Sequence, residues 1–455
     1  MPAPIHIIGG GLAGSEAAWQ IAEAGLTAVL HEMRPLRPTA AHLTDRLAEL
    51  VCSNSLKSEQ EGSAPWLLKQ ELRRLGSLVL QAAAQARVPG GHALTVDRDV
   101  FSAEVTRAIA AHPRIEIRRE EVREVPDTGI AGITDITIVA TGPLTSDALA
   151  DAIGRLTGSG RLFFYDSISP IVEADSVDQS IAFRASRYGK SLDGTADYLN
   201  CPFDRPQYEA FVDALLAAQA VSSHIAADLP DKAVPYFEAC LPIEELARRG
   251  RDTLRFGPMK PMGLIDPRTG HRPWAAVQLR QENLRADSFN LVGFQNHLKF
   301  GEQARILRMI PSLEHAEFLR FGQIHRNTYI NAPALLAPTL QLRARPEILF
   351  AGQISGVEGY VEAIATGLAA GLHAVELASG GHPQPFPRET ALGSLCHYIS
   401  GADPRNYQPA NITFDLLPQL DESTRHKLRH DKRARHAEVC RRAAEAMDQH
   451  LHAHV

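Results

Sequence analysis

Apolar and polar positions segregate from the start of the chain. Ile5-His6-Ile7-Ile8 is a short apolar run that opens directly into Gly9-Gly10-Gly11-Leu12-Ala13-Gly14, followed by a helical pattern from Ser15 to about Ala24 and a stop at Gly25. The pattern predicts strand, tight turn, helix. A second strand is predicted from Thr27 to Leu30, ending at His31-Glu32. Short alternating runs at 114–118 and 121–125 predict two more strands, and Ile136-Thr137-Ile138-Val139 reads as a buried strand closing in Ala140-Thr141-Gly142. Far downstream, Ile348 to Gln353 predicts a strand leading through Gly356 and Gly359 into a long small-residue helix, Tyr360 to about Ala378. After the Pro-rich break at 381–387 the chain is mostly polar and helical. The expected plan is an α/β domain begun at 1–157 and completed at 335–380, an inserted α/β domain at 158–334, and a C-terminal, mostly helical region at 381–455.

The glycine turn has a specific chemical use. Gly9 permits the turn, Gly11 lets the backbone approach a pyrophosphate, Gly14 lets helix pack on strand, and the helix N-terminal amides face the anion. Glu32 lies 23 residues beyond Gly9, where an acid reaches a ribose hydroxyl, and it favours an unphosphorylated ribose, as in FAD or NAD. The late strand and helix would bring a second helix N-terminus to the same ligand. Together these segments resemble a discontinuous, glutathione-reductase-like FAD-binding Rossmann fold. The candidate FAD contacts are Gly9, Gly10, Gly11, Leu12, Ala13, Gly14, Glu32, Met33, Arg34, Asn54, Ser55, Leu56, Val122, Ala140, Thr141, Gly142, Gly352, Gln353, Gly359 and Tyr360.

Composition narrows the class. With 455 residues the chain exceeds a single core, and 44% hydrophobic with 22% charged residues is ordinary for globular domains. No apolar run in the sequence approaches the ~20 residues that span a bilayer, and the N-terminus lacks a secretory pattern, so a cytoplasmic protein without membrane attachment is expected. A net charge of -6 argues against coating nucleic acid through bulk charge and leaves room for a local basic patch. From Thr424 to Val455 there are eight Lys or Arg against four Asp or Glu, a solvated basic helix or a phosphate contact. Five cysteines without a CxxC pair predict free thiols and no metal site.

Two thiols stand apart. Cys52 lies in the small polar turn VCSNSLKS before a helix near Pro65, in a loop that passes close to the cofactor in flavin folds. Cys240 lies in FEACLPIEELARRG, followed by Arg248, Arg249, Arg251, Arg255 and Lys260, a cluster that favours a thiolate and attracts a polyanion. These motifs, with FYDSISPIV, SRYGK, DYLNCP, LRFGPMKPMGL, NLVGFQNHLKFGEQ, HRNTYIN and GQISGVEGYVEA, resemble the folate- and FAD-dependent tRNA uracil-5-methyltransferases, the TrmFO family. The resemblance implies transfer of a one-carbon unit from 5,10-methylenetetrahydrofolate to C5 of the T-loop uridine of tRNA, with FAD recharged by NAD(P)H. It also implies two catalytic cysteines, falling here on Cys52 and Cys240. Uracil C5 is a poor nucleophile until something adds at C6, which suits a thiolate. Cys240 is the expected nucleophile and Cys52 its assistant, with the roles interchangeable. His297, Lys299 and Glu302 are candidates to hold the folate; Arg187, Lys190, Arg248, Arg249 and Arg251 are candidates for tRNA phosphates. A GidA-like modification of the wobble uridine, a generic FAD-dependent oxidoreductase and a non-catalytic RNA-binding flavoprotein are the alternatives. The GidA-type proteins carry a longer C-terminal region and different cysteine motifs.

Overall fold

The computed structural model describes residues 3–39, 41–125, 136–158, 162–192, 194–221, 241–405 and 407–454. Chain order places β1 (Ile5–Ile8), α1 (Leu12–Glu23), β2 (Ala28–Glu32), β3 (Ser55–Ser58), α2 (Ala64–Arg74), β4 (Ile115–Arg119), β5 (Thr137–Val139), β6 (Arg345–Phe350), α3 (Tyr360–Ala378), α4 (Ala391–Gly401), α5 (Glu422–Lys427) and α6 (Lys432–His454). In the first sheet β6, β5, β1, β2 and β4 lie side by side, all parallel, with Gln341–Leu342 added antiparallel at the β6 edge. Strands buried on both faces need continuous apolar runs, which β1, β2 and β5 supply.

Two expectations shift. The first helix starts at Leu12, not Ser15, because extended Gly11 serves as its N-cap. The alternating run at 121–125 forms no strand; it leaves β4 and crosses the rim of the nucleotide cavity, where Glu121 and Val122 line the wall. Alternation alone could not separate a half-buried strand from a rim segment with one wet face.

α3 seals the sheet by crossing α1 at close range. A Cβ on Gly367 would stand 2.3 Å from the Ala13 carbonyl oxygen, so only glycine permits this approach. By length and composition α3 would suffice to span a bilayer, but 67% of its apolar window is buried inside the protein. It is a core helix packed on α1.

The chain leaves this domain and returns to it on two strands that pair with each other, Leu162–Ser167 and Ile324–Tyr329. Between them lies a second six-stranded sheet, antiparallel throughout, in the order Phe183–Arg184, Tyr198–Phe203, Ala275–Gln281, Ser288–Leu291, Ile171–Glu173, Phe318–Arg320. It has its own core, in which Phe203, Phe211, Phe289 and Phe294 are fully buried. Asn54 ties the two together: its amide nitrogen donates to the Val96 and Gln281 carbonyls and its oxygen accepts from Arg280 Nε.

The C-terminal helices close the far side. Glu71 of α2 accepts both the Ala391 and Leu392 N–H groups at the start of α4, 2.8 Å each, and burial pushes its carboxyl up to about 8. Ala443 and Met447 of α6 are fully buried, and Arg74 of α2 pairs with Asp448.

Candidate functional site

A cavity of about 370 Å³ opens at the C-terminal ends of β1, β2 and β5, where open α/β sheets place their ligands. Its floor is the glycine turn. Gly9 has φ +106° and packs on the Ala140 carbonyl, while a Cβ on Gly14 would overlap the Gly9 carbonyl oxygen at 1.8 Å. At Gly11 nothing lies within 4 Å of the Cβ position, so the backbone is bare toward the cavity. The first turns of α1 and α3 both reach the cavity, at Leu12 and Ala13 and at Tyr360.

At the end of β2, Glu32 is braced before any ligand arrives. Oε2 accepts the Gly10 N–H at 3.0 Å, and Oε1 accepts the Arg34 N–H and Nε–H, both at 2.9 Å. Burial alone would push this carboxyl up; the Arg34 guanidinium outweighs it and holds it below the usual carboxylate range. Beside it His31 bridges His6 Nδ1, at 2.9 Å, to Glu120 Oε1, at 2.8 Å.

The opposite pole carries the thiol. Cys52 lines the cavity, half-buried, and its N–H and that of Ser53 both donate to the Tyr360 hydroxyl, at 2.8 and 3.2 Å. Three arginines from distant elements clamp this loop. Arg98 donates to the Leu50 and Cys52 carbonyls, Arg320 to those of Val51 and Ala41, and Arg280 to Asn54. Their field favours an anionic sulfur at this position. Lys57 also lines the cavity, with Nζ 2.5 Å from Glu362 Oε1 and bonded to Asn411 Oδ1. Its backbone, at φ +60°, is held by buried Lys69, whose ammonium donates to the carbonyls of Leu56, Lys57 and Ser58.

Does the wall suit FAD? Asn327 on the wall is 1% exposed, and neither its amide nitrogen nor its oxygen has a partner among the described residues. A buried donor and acceptor left open costs stability unless a ligand bonds them. With an open glycine floor, two helix N-termini and an acid beside the ribose position, the residues fit a flavin dinucleotide.

A relative from Solibacter usitatus, named methylenetetrahydrofolate--tRNA-(uracil-5-)-methyltransferase TrmFO, is 72% identical over 453 residues, covering 100% of each chain. The chain belongs to the TrmFO family. A Koribacter versatilis protein of the same name is 60% identical over 98% of this chain and 97% of its own. The family model described as glucose inhibited division protein A matches residues 4–382. Aquifex aeolicus GidA in its form II crystal superposes with a TM-score of 0.69 at 16% identity, over 98% of this chain and 73% of that one, which establishes a shared fold.

Against this TrmFO frame the expected positions sort cleanly. Gly9, Gly10, Gly11, Leu12, Ala13, Glu32, Met33, Arg34, Ser55, Val122, Ala140, Thr141, Gly142, Gly352, Gln353, Gly359 and Tyr360 all line the cavity. Gly14, Asn54 and Leu56 lie behind the wall and set its shape. Cys240 lies outside the described residues. Three residues on, the Ile243 N–H donates to the carbonyl of Gln295, itself a wall residue.

The folate candidates do not line the cavity. His297 is buried beside Glu244, with its N–H on Oε1 at 2.8 Å; burial pushes the imidazole down to about 4 and the carboxyl up to about 7. Lys299 donates to Gln219 and Glu302 pairs with Arg305 at the start of the helix Phe300–Leu307. Of the tRNA candidates, Lys190 is exposed over the Tyr188 ring and Arg249 is exposed. Arg187 is half-buried with Nη2 on the Pro258 carbonyl, and Arg248 and Arg251 are spent on Glu245 and Asp213. Sequence reasoning missed Lys57, Gln295, Asn327, Glu358 and Asn411; the motifs SLKS, GFQNH, HRNTYIN and GVEGY contain four of them.

Proposed function

We propose that this chain methylates C5 of a uracil in tRNA, taking the one-carbon unit from 5,10-methylenetetrahydrofolate with FAD held in the cavity. The observation that carries this reading is a cysteine on the wall of a cavity floored by the glycine turn and edged by Glu32, in a chain 72% identical end to end to a relative of that name. Reduced FAD, recharged by NAD(P)H, supplies the hydride that completes the methyl group. The protein's own part is nucleophilic and positional. A thiolate of Cys240 adds to uracil C6, which gives C5 the electron density to accept the one-carbon unit. The C5 proton then has to leave before the thiol is eliminated. Cys52, held by the Tyr360 hydroxyl and facing three guanidiniums, is the group that assists that proton or the carbon transfer. Gly9 to Ala13 and Glu32 would hold the adenosine diphosphate end of FAD, and Cys52 and Asn327 are the wall residues that would serve its ring.

Within tRNA the T-loop uridine is the target, a reading supported by the cysteine motifs. Its base has to leave the loop stack to reach a wall thiol. The test is incubation of the purified flavoprotein with unmodified tRNA, NAD(P)H and methylenetetrahydrofolate labelled in the methylene carbon, followed by nucleoside analysis. Label in 5-methyluridine at the T-loop position is the expected result. Label at the wobble position, or none in any nucleoside, would overturn the reading.

A further inference from the structure

Two of the cations that the sequence offered for tRNA, Arg248 and Arg251, are held by acids, but another set is not. Residues 425–435, spanning the end of α5 and the start of α6, hold six Lys or Arg and one acid, Asp431, in a chain whose net charge is -6. Asp431 is occupied with capping, its Oδ1 accepting the Ala434 N–H. Lys427, Lys432 and Arg433 have no ion pair among the described residues, and Arg425 and Arg429 bond only neutral groups, the Gln419 amide and the rings of His426 and His430. The buried Nε of Arg435 has no acceptor among the described residues. Exposed arginines elsewhere behave differently: Arg205, Arg305, Arg405 and Arg441 each hold an acid three or four residues away or nearer.

Placement makes this cluster costly for the fold. Helix N-termini carry partial positive charge and favour acids, yet the first turn of α6 has no acid and carries Lys432, Arg433 and Arg435. The last turn of α5 adds Arg425 and Lys427 a few residues before it. Such an arrangement opposes helix stability and suits an incoming anion. The turn is also rigidly mounted. His436 packs on Phe414 with ring centroids 4.2 Å apart, and Arg442 donates to the Gln419 carbonyl at 3.0 Å. Phe414 lies three residues from Asn411 on the cavity wall, no more than about 11 Å along the backbone.

We propose that the basic turn between α5 and α6 is a second phosphate-contact surface for tRNA, holding the RNA backbone just outside the cavity that receives the target base. This rests on the tRNA reading above. A base splayed into the cavity leaves its neighbouring phosphates outside it, and a cluster of cations without acidic partners, tied through His436 and Phe414 to the segment that carries wall residue Asn411, matches them in charge.

The test compares the full-length wild-type protein, FAD bound, with the triple variant Lys427→Gln, Lys432→Gln, Arg433→Gln. All three side chains are exposed and unpaired, so the variant keeps its flavin spectrum. Removing cations from a helix N-terminus leaves the thermal midpoint unchanged or higher, whereas a structural role would lower it. Binding of unmodified tRNA is measured between 50 and 200 mM salt. Loss of three phosphate contacts flattens the log–log salt slope by roughly 2.7, so the salt-induced weakening over that range shrinks by roughly 40-fold. An unchanged slope in the variant, with wild type binding tRNA, overturns this inference alone. Wild type that fails to bind tRNA overturns the functional reading with it. Unchanged tRNA binding with lost binding to phosphatidylserine vesicles would assign the turn to a lipid surface instead.

Discussion

Alanine at Gly11 and alanine at Gly14 separate cofactor binding from folding. Gly11 has an ordinary extended backbone, φ -74° and ψ -165°, and nothing within 4 Å of a Cβ. The new methyl enters the cavity, not the protein. Apoprotein stability should stay within about 1 kcal/mol, since a poorer N-cap and a stiffer unfolded chain act in opposite directions at about that size. The pyrophosphate, however, is pushed off the first-turn amides of α1, and one lost charge-assisted hydrogen bond costs about 1.5–3 kcal/mol, or about 10- to 150-fold in Kd for FAD. Gly14→Ala behaves in the opposite way. Its methyl would sit 1.8 Å from the Gly9 carbonyl oxygen, so helix and turn must separate by more than an ångström, and overpacking of about 1–3 kcal/mol or more falls on the fold itself. Thermal unfolding of both apoproteins and flavin-fluorescence titration form the assay. Wild-type FAD affinity in Gly11→Ala would refute the placement of the pyrophosphate, and an unfolded Gly11→Ala would refute the open floor.

Three further outcomes are expected. Cys52→Ala and Cys240→Ala each abolish labelled 5-methyluridine while the flavin stays bound; full turnover in Cys240→Ala removes the nucleophile assignment. Asn327→Leu removes two unpartnered buried polar atoms, so the apoprotein gains about 1–3 kcal/mol while FAD binds at least tenfold more weakly; loss of stability in urea titration would show that the amide is already satisfied. For Glu244, with its folded pKa raised to about 7, the stability it contributes is complete below about pH 4.5 and lost as pH rises through 7. Buried His297, lowered to about 4, acts oppositely, so stability rises with pH from about 4 to 6.5. The two slopes largely cancel below pH 6.5, and Glu244→Gln should expose the histidine: its urea midpoint rises from pH 4.5 to 6.5 more steeply than wild type's.

The nucleotide half of the site was legible because its signals are local. A glycine turn, its flanking strand and helix, and Glu32 at the next strand's end all lie within one short stretch, where spacing translates directly into geometry. The walls around Cys52 were not. Arg98, Arg280 and Arg320 meet at residues 50–54 only after a helix and two strands of the inserted sheet have been placed, and no periodicity announces which arginine will point inward. Spacing marks Glu32 as a ribose acid, but its brace by Arg34 depends on the local backbone path after β2. The arginines after Cys240 were a fair electrostatic expectation that failed to anticipate their acidic partners at Glu245 and Asp213. Charge counts along a sequence cannot tell a free cation from a spent one.

The crossing of α1 and α3 sets a schedule for synthesis as well as a shape. β6 and α3 complete the sheet and cover α1, yet they are encoded about 200 to 240 residues after Gly142 closes the turn at β5. At typical ribosomal speeds of about 5–20 residues per second, the first three-quarters of the nucleotide domain waits roughly 10–50 s for its lid. During that interval the inserted sheet, with its own core, is free to fold first. The emerging chain can therefore complete its middle before its beginning is covered.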